Sequence, residues 1–390
     1  VPFVLRTATG GARMQEGMAA LVQMPKVVAA RFGLAESHVP FVVVLGDPTT
    51  GGVLASLAAL ADVTIAEAGA TIGFAGPRVV EMMTGTAPGA SSHSAATALG
   101  NGLVDEVIDT EDVRATLEHV LGILRPNDPE PVNEPPRGGR TSGTDGWAAV
   151  QTARAAERAD APTLLRAICR DNFALRGDRA GDDDPSLVVA IGRLLGRRVL
   201  VMATDRAELL GPAAYRLARR ALRVAERLQL PVVTLIDTRG ADPSEESEGG
   251  GIASGIAQLF AAMLVTEVPI VACVTGEGGS GGALAFATGD VLLAYEDAIF
   301  SVIGPEAAAT ILWRDGSRAD EAARALRLTA ADLHAFGIAD VLLPGPPEAT
   351  SLANALAYHL DRIEATSGHD LVVARANRWR NRDGHGQASS

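Results

Sequence analysis

Two apolar runs, each followed by glycines, give the chain its clearest pattern. Val268–Val274 predicts a buried strand, and the glycine-rich Gly276–Gly282 leads from it into an alanine-rich predicted helix. Val39–Leu45 and the turn Asp47–Gly52 show the same order of strand, glycine turn and helix start. Such a junction leaves backbone N–H groups without partners, and these groups favour negative charge. Both turns are therefore candidate anion sites.

The spacing of four prolines indicates an internal repeat. Pro40 and Pro269 are 229 positions apart, and Pro2 and Pro231, which open an earlier strand and turn, have the same separation. Two later pairs follow in the same order with small changes of register, namely Asp62 with Asp290 and Gly76-Pro77 with Gly304-Pro305. The sequence therefore predicts two copies of one α/β module, here called the first and second repeats.

The segments around the repeats complete the predicted organisation. Before Pro231, Ser186–Met202 predicts a hairpin and Ala213–Leu228 predicts an amphipathic helix. Nothing comparable precedes Pro2, so we expect the opening strands of the first repeat to be missing, or supplied by a partner. The predicted domains are 1–125 and 147–370, joined by a Pro- and Gly-rich linker at 126–146 and followed by a flexible tail at 371–390.

Composition narrows the chemistry. The 390 residues are 47% apolar but only 4% aromatic, which predicts a core of Ala, Val, Leu and Ile. A net charge of −13 argues against nucleic acid and anionic membranes as partners, and no apolar run reaches the ~20 residues of a membrane span. Lys26 is the only lysine, which nearly excludes Schiff-base chemistry and argues against biotin attached to this chain.

The cysteines and histidines add further exclusions. Cys169 and Cys273 cannot supply a four-cysteine zinc ribbon or a disulfide framework. The seven histidines lack metal-ligand spacing, so we expect no metal in this chain. Two cysteines and no signal peptide fit a reducing cytoplasm.

The motifs resemble a known family. The first repeat is similar to the β subunit of bacterial acetyl-CoA carboxylase carboxyltransferase in Gly10–Glu16, Asp47–Val53 and Ile72–Arg78. The second repeat is similar to the α subunit in Leu175–Arg179, Ile236–Thr238 with Gly240-Ala241, Gly276–Ala285, Ser301–Glu306 and Ile311–Trp313. The resemblance covers nearly the whole chain apart from the linker and tail. It implies an α/β crotonase-like superhelix of ββα repeats with two homologous domains, in agreement with the internal repeat.

The resemblance also implies a reaction and its partners. The reaction is transfer of carboxylate from carboxybiotin, held on a separate biotin carboxyl carrier protein, to an acyl-CoA. Acetyl-CoA giving malonyl-CoA is the default, within an ATP-dependent complex of fatty acid biosynthesis that includes biotin carboxylase; propionyl-CoA stays open. The family implies a homo-oligomer in which unlike domains of two protomers face each other. Biotin itself takes the proton in this family, so no catalytic Asp or His is expected.

Site residues follow by position from the resemblance. Two anionic oxygens form during the reaction, and each needs preorganised N–H donors. Gly51 and Gly52 would hold the enolate oxygen of the acyl-CoA, and Gly281 and Gly282 the ureido oxygen of biotin. Further glycines and one arginine would bind substrate, namely Gly10, Gly11, Gly76, Arg78, Gly240 and Gly304. Three polar residues also have simpler structural explanations: Arg78 as a surface residue, Glu306 as a helix N-terminal acid, and Asp237 as a brace of its turn.

Some features depart from the family. The zinc ribbon of the β subunit is absent, Arg239 stands where the family has proline, and the basic loop after the hairpin is shortened to Ala203–Pro212. Asp242–Gly251 is acidic and glycine-rich and does not keep the family's pattern. These departures bear on the access of carboxybiotin.

Other functions also match parts of the chain. Gly278–Gly282 fits the nucleophile elbow of a serine hydrolase, with Ser280 followed by Asp315 or Asp320 and then His334. Gly276, Gly278 and Gly281 match a dinucleotide fingerprint, whereas a P-loop is excluded because its Lys-Ser/Thr is absent. A truncated, non-catalytic assembly subunit is a further alternative.

Overall fold

The computed structural model describes residues 1–11, 13–89, 91–139 and 145–382, which form two compact units. The first unit consists of Val1–Arg125, Ala174–Asp183 and Arg227–Gln229, and the second of Pro126–Phe173, Asp184–Glu226 and Leu230–Ser390. The domain boundaries drawn from the sequence stay a prediction. They differ from these units because two later segments pack with the first unit.

The first unit contains a five-stranded sheet. Its strands are β1 (Phe3–Thr9), β2 (Phe41–Thr50), β3 (Val63–Glu67), β4 (Ile72–Gly73) and β5 (Glu106–Ile108). Its helices are α1 (Met18–Leu21), α2 (Gln23–Glu36), α3 (Gly52–Ser56), α4 (Pro77–Thr84), α5 (Ala95–Gly100) and α6 (Val113–Ile123), with short 3₁₀ turns at Met14–Glu16, Ala58–Leu60 and Thr110–Asp112. The strand order is β1-β2-β3-β5, β4 also pairs with β2, and all pairings are parallel.

The second unit contains an eight-stranded sheet. Two helices, α7 (Gly146–Ala153) and α8 (Ala161–Ile168), precede it. Its strands are β6 (Asn172–Ala174), β7 (Leu187–Leu194), β8 (Arg197–Thr204), β9 (Val232–Thr238), β10 (Ile270–Gly279), β11 (Val291–Tyr295), β12 (Ile299–Ser301) and β13 (Val341–Leu343). The helices between and after them are α9 (Pro212–Leu228), α10 (Glu245–Gly249), α11 (Ile252–Val265), α12 (Ser280–Ala287), α13 (Pro305–Trp313), α14 (Ala319–Leu326), α15 (Ala330–Ala335), α16 (Ala349–Ile363) and α17 (Gly368–Arg380), with a 3₁₀ turn at Gly316–Arg318. The strand order is β13-β11-β10-β9-β8-β7-β6, and β12 also pairs with β10.

The two repeats have the same strand connectivity, which confirms the internal repeat. The order β1-β2-β3-β5 with β4 on β2 recurs as β9-β10-β11-β13 with β12 on β10, and every pairing is parallel. Strands β2 and β10 are both ten residues long and lie 229 positions apart in sequence. Helices α2 and α11 are both fourteen residues long and have the same separation.

The apolar runs form the centres of the sheets. Phe41–Leu45 of β2 and Ile270–Val274 of β10 are fully buried, as expected for parallel strands whose two faces are both covered. The predicted hairpin is also confirmed, because β7 pairs antiparallel with β8. Its turn residues Leu195 and Gly196 both have positive φ, at 45° and 75°, which suits the right-handed twist of a two-residue hairpin.

Equivalent aspartates brace the two central strands. The Phe41 N–H donates to Asp62 Oδ2 at 2.7 Å, and the Asp62 N–H donates back to Phe41 O at 2.9 Å. Ile270 and Asp290 exchange the same two hydrogen bonds at 2.7 and 2.9 Å. Each carboxylate therefore fixes the entry of its central strand, which is why the sequence keeps an aspartate at this position of both repeats.

Each of these two aspartates also pairs with an arginine from outside its repeat. Arg227 contacts Asp62 and donates to Val39 O at 2.9 Å. Arg375 pairs with Asp290 at 2.7 Å and donates to Val268 O at 3.1 Å, so equivalent partners are held in both repeats. A further set of hydrogen bonds joins Arg375 to Met263 O and Thr266 O, at 2.7 and 2.6 Å.

The flexible tail predicted over 371–390 is wrong for its described part. Residues 368–380 form α17, whose Leu371 and Arg375 are buried, because the arginine satisfies Asp290 and backbone carbonyls. A buried arginine in a polar segment gives no apolar periodicity, so the helix was not apparent from the sequence. Residues 383–390 lie outside the described residues, as do 140–144 of the predicted linker.

Helices α1 and α2 of the first unit contain no buried residue. By length and composition alone, Met18–Glu36 is long and apolar enough to cross a membrane, so the sequence-based exclusion of any such stretch was wrong. The stretch reaches this length because two helices adjoin, and it contains Lys26 and Arg31. Because α2 occupies the same place as α11 in the repeat, we interpret it as a helix of the fold.

Candidate active site

The first glycine turn lies at the carboxyl end of β2. Thr49 and Thr50 are buried, Gly51 has a φ of 70°, and α3 begins at Gly52. The left-handed conformation at Gly51 requires glycine, because a side chain there would be strained. The turn thus reverses the chain sharply and places the first amides of α3 at the sheet edge.

Hydrogen bonding decides which amides of this turn are available. The Gly51 N–H donates to Phe74 O at 2.9 Å and to Gly73 O at 3.3 Å, so this amide already has acceptors in the loop, and its expected use as an oxyanion donor stays a prediction. Gly52 and Val53 are the first two residues of α3, and their N–H groups have no acceptor within the described part of the chain. The available donors of the first turn are therefore those of Gly52 and Val53.

Gly10 and Gly11 lie beside this turn. They follow β1, whose Thr9 pairs with Thr49, and the Thr50 hydroxyl donates to Thr9 O at 3.3 Å. Gly11 has a φ of 113°, and its N–H donates to Thr9 Oγ1 at 3.2 Å. The expected substrate-binding glycines after β1 therefore share one edge of the sheet with Gly52.

Gly76 and Arg78 belong to the next loop and helix. Strand β4 pairs with Thr49 and Thr50, and Gly76 then precedes α4, which starts with Pro77. Arg78 is exposed and has no ion pair among the described residues, so its substrate-binding role stays a prediction.

A cavity of about 330 Å³ adjoins the first turn within the first unit. Backbone and side chains of α1, α2, α3 and the Gly11 loop surround it. Its lining residues are Gly11, Arg13, Glu16, Ala20, Leu21, Gln23, Met24, Val27, Gly52, Val53 and Ser56. The amide-bearing turn therefore borders a ligand-sized space, since small-molecule pockets start at about 300 Å³.

The second glycine turn lies at the carboxyl end of β10. Ser280 has a φ of 57° at the start of α12, so Ser280 and not Gly281 holds the place of Gly51. Gly281 is exposed, a Cβ there would meet nothing within 4 Å, and its N–H has no acceptor among the described residues. The equivalent of Gly52 is therefore Gly281, one position earlier than the pairing drawn from sequence.

The other predicted glycines of the second repeat surround this turn. Gly240 has a φ of 118°, and a Cβ there would lie 2.7 Å from Gly279 O. Gly282 is buried and closely packed. A Cβ added there would lie only 2.7 Å from both Ala241 N and the Tyr215 hydroxyl. The Gly282 N–H makes a long hydrogen bond of 3.4 Å to Ser280 Oγ, so Gly282 is a packing position as well as a predicted donor.

Gly304 lies beyond β12, which pairs with the last residues of β10. It precedes α13 as Gly76 precedes α4, with Pro305 and Pro77 as the first helical residues. Both repeats thus bring three loops to the carboxyl edge of their sheet, where ligands bind in open α/β sheets.

Comparison with known proteins decides the family. Residues 141–383 match a family model described as acetyl co-enzyme A carboxylase carboxyltransferase-like. The acetyl-coenzyme A carboxylase carboxyl transferase subunits beta/alpha of Salinispora tropica are 42% identical over 412 residues, covering 97% of this chain and 73% of that protein. This chain belongs to the acetyl-CoA carboxylase carboxyltransferase family.

Two further matches agree with this carboxyltransferase assignment. A Mycobacterium bovis protein named "Probable biotin-dependent acyl-coenzyme A carboxylase beta3 subunit" is 33% identical, covering 97% of this chain and 79% of that protein. The structure of transcarboxylase 12S, a hexamer with methylmalonyl-coenzyme A and methylmalonic acid bound, matches with a TM-score of 0.75 at 24% identity. That match covers 94% of this chain and 73% of the neighbour. The expected crotonase-like fold is confirmed, and the chain is a carboxyltransferase of the biotin-dependent acyl-CoA carboxylase family.

Two arginines, whose ion pairs were not foreseen from the sequence, support the second turn of this carboxyltransferase. Arg154 binds Glu277 at the end of β10 through two hydrogen bonds of 2.7 Å and Glu306 of α13 through a third of 2.7 Å. The hydrogen bond to Glu277 raises the pKa of Arg154, against the opposing effect of burial. Glu306 is therefore a pairing residue in the first turn of α13. A glutamate inside a buried strand was the one available signal that a cation had to lie nearby.

The second arginine, Arg158, pairs with Asp237. Both carboxylate oxygens of the fully buried Asp237 accept from Arg158 Nη2 at 2.8 Å, and the Glu277 N–H donates to Asp237 Oδ1 at 3.1 Å. Burial raises the pKa of Asp237, and Arg158 opposes that rise. Asp237 thus braces the end of β9 against β10, as one of its two sequence interpretations expected.

The hydrolase and dinucleotide alternatives fail on geometry. His334 Nδ1 lies 3.1 Å from Ala339 O, Asp320 pairs with Arg324, and within the described residues no hydrogen bond links Ser280 to His334. Asp315 accepts from Ser317 instead. Gly276 and Gly278 lie inside β10, whereas a dinucleotide fingerprint needs them in the turn before a helix. In the described ranges no group of three or more His, Cys, Asp or Glu could hold a metal ion.

Proposed function

We propose that this carboxyltransferase moves a carboxylate group from carboxybiotin on a separate carrier protein to the α-carbon of an acyl-CoA. Acetyl-CoA giving malonyl-CoA is the expected reaction, supported by the name of the Salinispora relative. The observation that carries the proposal is the pair of equivalent glycine turns, each presenting amides that have no acceptor among the described residues at the carboxyl edge of its sheet.

The first turn acts on the acyl-CoA. Removing a proton from the α-carbon places negative charge on the thioester oxygen, and the N–H groups of Gly52 and Val53 at the start of α3 would donate to it. Gly51 and Thr49 hold the loop, because the Gly51 N–H and the Thr49 hydroxyl bond to backbone carbonyls. The donors are thus fixed before the charge forms, which is the condition for oxyanion stabilisation.

The second turn acts on the carboxylate donor. When bound, carboxybiotin supplies the carboxylate group, and the oxygen of its ring needs a donor as that group departs. Gly281 fits such a group, because it is exposed, its N–H has no acceptor in the described ranges, and no neighbour would obstruct an approaching oxygen. Arg154 and Arg158 keep the strands beneath this turn in place through Glu277 and Asp237.

The test removes one donor without changing the shape of the turn. Gly52 is the first residue of α3, a position that tolerates proline, so Gly52→Pro deletes the N–H while the helix can still start. We expect carboxyl exchange between malonyl-CoA and biotin to fall by about 10²–10³-fold. Gly52→Ala is the matched control, since it adds a Cβ that meets only the flexible Met24 side chain and keeps the N–H.

The outcomes separate the proposal from its alternatives. Full exchange by Gly52→Pro would contradict the role of the first turn. Tight binding of acyl-CoA by the wild-type chain without any exchange, in the presence of its carrier protein, would support the non-catalytic assembly subunit instead. Retained exchange by Ser280→Ala is expected, because Ser280 is not a nucleophile in this mechanism.

We further propose that the chain works as a homo-oligomer with a biotin carboxyl carrier protein and biotin carboxylase, in cytoplasmic fatty acid biosynthesis. Large apolar side chains at equivalent positions of both repeats support the oligomer: Phe74 and Met83 are 71% and 78% exposed, and Val302 and Ile311 are 73% and 70% exposed. Exposed apolar patches mark interaction sites. Light scattering on the wild type and a Met83→Glu, Ile311→Glu double variant tests this, a smaller mass for the variant being expected.

A further inference from the structure

A serine and a histidine of the first unit form a hydrogen-bonded pair outside the two glycine turns. Ser92 is exposed, and its Oγ lies 2.7 Å from His93 Nδ1. On the other side of the ring, His93 Nε2 lies 2.9 Å from Ala75 O. The proposed carboxyl transfer uses neither side chain, so the Ser92–His93 pair has no role in it.

The two partners of the imidazole ring fix its tautomer. A carbonyl oxygen only accepts hydrogen bonds, so Nε2 carries the proton that is donated to Ala75 O. A neutral imidazole has one N–H, and Nδ1 is therefore the acceptor that faces the Ser92 hydroxyl. The hydroxyl thus donates to an unprotonated ring nitrogen, which is the arrangement of a serine nucleophile and its general base.

The loop around the ring holds it in this orientation. A Cβ on Gly73 would lie 2.4 Å from His93 Cδ2, so the ring packs directly against the Gly73 backbone. The Ile72 N–H donates to His93 O at 2.8 Å and fixes the backbone of the histidine. In a Ser-His-Asp triad a carboxylate orients the histidine, and Ala75 O takes the corresponding place here.

An amide beside the serine is available for the oxygen of an acyl group. The His93 N–H has no acceptor within the described part of the chain, whereas the Ser92 and Ser94 amides donate to Gly89 O and Ser91 O at 2.9 and 3.1 Å. In the nucleophile elbow of hydrolases, the amide of the residue after the serine is an oxyanion donor. The pair therefore brings together a hydroxyl, a base and an N–H donor.

The hydrolase motif in the sequence drew attention to a different serine. Ser280 lies in a G-x-S-x-G motif, but across the described ranges no histidine is hydrogen-bonded to it. Ser92 lies in no such motif, yet its hydroxyl meets an acceptor nitrogen of a histidine. Side-chain geometry therefore favours Ser92 over Ser280 as a nucleophile.

We propose that Ser92 is a nucleophile with His93 as its general base, and that the chain hydrolyses small acyl thioesters and aryl esters. Ser92 Oγ forms a bond to the carbonyl carbon while its proton passes to His93 Nδ1. The bond from that carbon to the leaving sulfur or oxygen breaks, and the leaving group takes the proton from Nδ1. Water then attacks the acyl-serine with the same base, which releases the carboxylic acid and restores the hydroxyl. Neither carboxybiotin nor a carrier protein is required.

The experiment follows acyl transfer to the full chain from p-nitrophenyl acetate and, separately, from acetyl-CoA. Absorbance reports the release of p-nitrophenolate or of free thiol, and mass spectrometry of acid-quenched samples locates the acetyl group. We expect acetylation of Ser92 and hydrolysis of both donors. Because Lys26 is the only lysine, acetylation of lysine amines adds a single site to the background.

Three variants assign the roles. Ser92→Ala should abolish the acetylation at this position and the hydrolysis that depends on it. His93→Gln keeps an amide that can donate to Ala75 O but has no basic nitrogen, and should slow acylation by about 10²–10⁴-fold. Ser91→Ala is the matched control, because Ser91 is also exposed and makes no hydrogen bond to a histidine among the described residues.

The wild type alone can overturn the proposal, so misfolding of a variant does not obscure the result. Absence of acetyl-Ser92, or equal acetylation of Ser91 and Ser92, would show that the pair is only a local hydrogen bond. An unchanged acylation rate in folded His93→Gln would overturn the role of the base.

Carboxyl exchange between malonyl-CoA and biotin separates this activity from the proposed function. Exchange should be unchanged in Ser92→Ala, and its loss would overturn a separate hydrolytic site. Hydrolysis through Ser92 in a chain that shows no carboxyl exchange would support the nucleophile and refute the proposed function. Exchange without acetyl-Ser92 would do the reverse.

Discussion

The two repeats share one strand order, but they differ in what covers them. In the second repeat β9 pairs with β8 on its outer side, and α9 contributes Tyr215 to the glycine turn. In the first repeat β1 is at the edge of the sheet order, Phe3 and Val4 are exposed, and α2 buries no residue. The difference teaches that strand order follows from the repeat itself, whereas burial depends on the elements added around it.

The same contrast holds at the two glycine turns. The second turn is supported by Arg154 and Arg158 and is closely packed at Gly282. The first turn has Pro48 at the position of Glu277 and an open cavity beside Gly52. A closely packed turn and a turn beside a cavity are therefore built on one backbone plan.

The largest loss of stability is expected on replacing the arginines that pair with Asp290 and Asp62. Arg375→Met leaves the buried Asp290 carboxylate and several carbonyls without their partner, and we expect a loss of about 3–5 kcal/mol. Arg227→Met should cost less, about 1–3 kcal/mol, because Arg31 also lies 3.8 Å from Asp62. Native-state hydrogen exchange of β10 and β2 reports the two losses separately.

A surface pair is the control for these variants. Arg114 and Glu118 lie 2.9 Å apart on the exposed face of α6, so Arg114→Met should change stability by less than about 1 kcal/mol. Equal losses of unfolding free energy in Arg375→Met and Arg227→Met would contradict the expected difference, and would show that the two arginine–aspartate pairs stabilise their repeats equally.

A smaller change in stability is expected on replacing Gly281 or Gly282, two adjacent glycines of the second turn, with alanine. Gly282→Ala forces a Cβ against Ala241 N and the Tyr215 hydroxyl, and should destabilise the protein by about 1–3 kcal/mol. Gly281→Ala adds a methyl group in open space within a helix, where alanine is favoured by up to about 1 kcal/mol. Urea unfolding of both variants measures the difference, and a tolerant Gly282 would argue against a rigid second turn.

The smallest expected effect is a pH dependence of folding stability that comes from His359 in α16. Burial lowers the pKa of His359 below its ordinary value of 6.5, and its buried Nε2 has no hydrogen-bond partner among the described residues. Above pH 6.5 both folded and unfolded chains hold this histidine neutral. As pH falls through 6.5 the unfolded chain takes up the proton first, so stability declines down to the lowered folded pKa.

The variant His359→Phe isolates this contribution. It keeps a ring beside Tyr358, whose centroid lies 5.2 Å from that of His359, and removes the proton site. Melting temperatures measured from pH 7.5 to 5.5 should fall less steeply in His359→Phe than in the wild type. Parallel curves of melting temperature against pH for the two proteins would mean that the burial of His359 does not cause the loss of stability at low pH.

Much of the fold followed from periodicity and spacing. The apolar runs at Phe41 and Ile270 predicted the central strands, and the proline and aspartate landmarks predicted the repeat, because both depend on local sequence. The helix α17 was missed because its burial depends on one arginine whose partners are 85 or more positions distant. Interactions of that range leave no periodic signal.

The candidate site was predicted at the level of segments rather than atoms. The two turns were located correctly, but the Gly51 amide proved to be used by Phe74 O, and Ser280 rather than Gly281 matches Gly51. The roles of Gly10, Gly76, Arg78, Gly240 and the other expected site residues stay predictions. Which amide is available depends on backbone angles and on loops distant in sequence, and neither can be inferred from composition.

The position of Arg227 in the chain has a consequence for synthesis. The first unit also needs Ala174–Asp183 and Arg227–Gln229, which leave the ribosome after the last strand and helix of the first repeat. At about 5–20 residues per second, the roughly one hundred residues between Arg125 and Arg227 take on the order of 5–20 seconds to add. During that interval Arg31 can lie near Asp62 but Arg227 has not yet been synthesised, so the final packing of the first unit waits for the translation of α9.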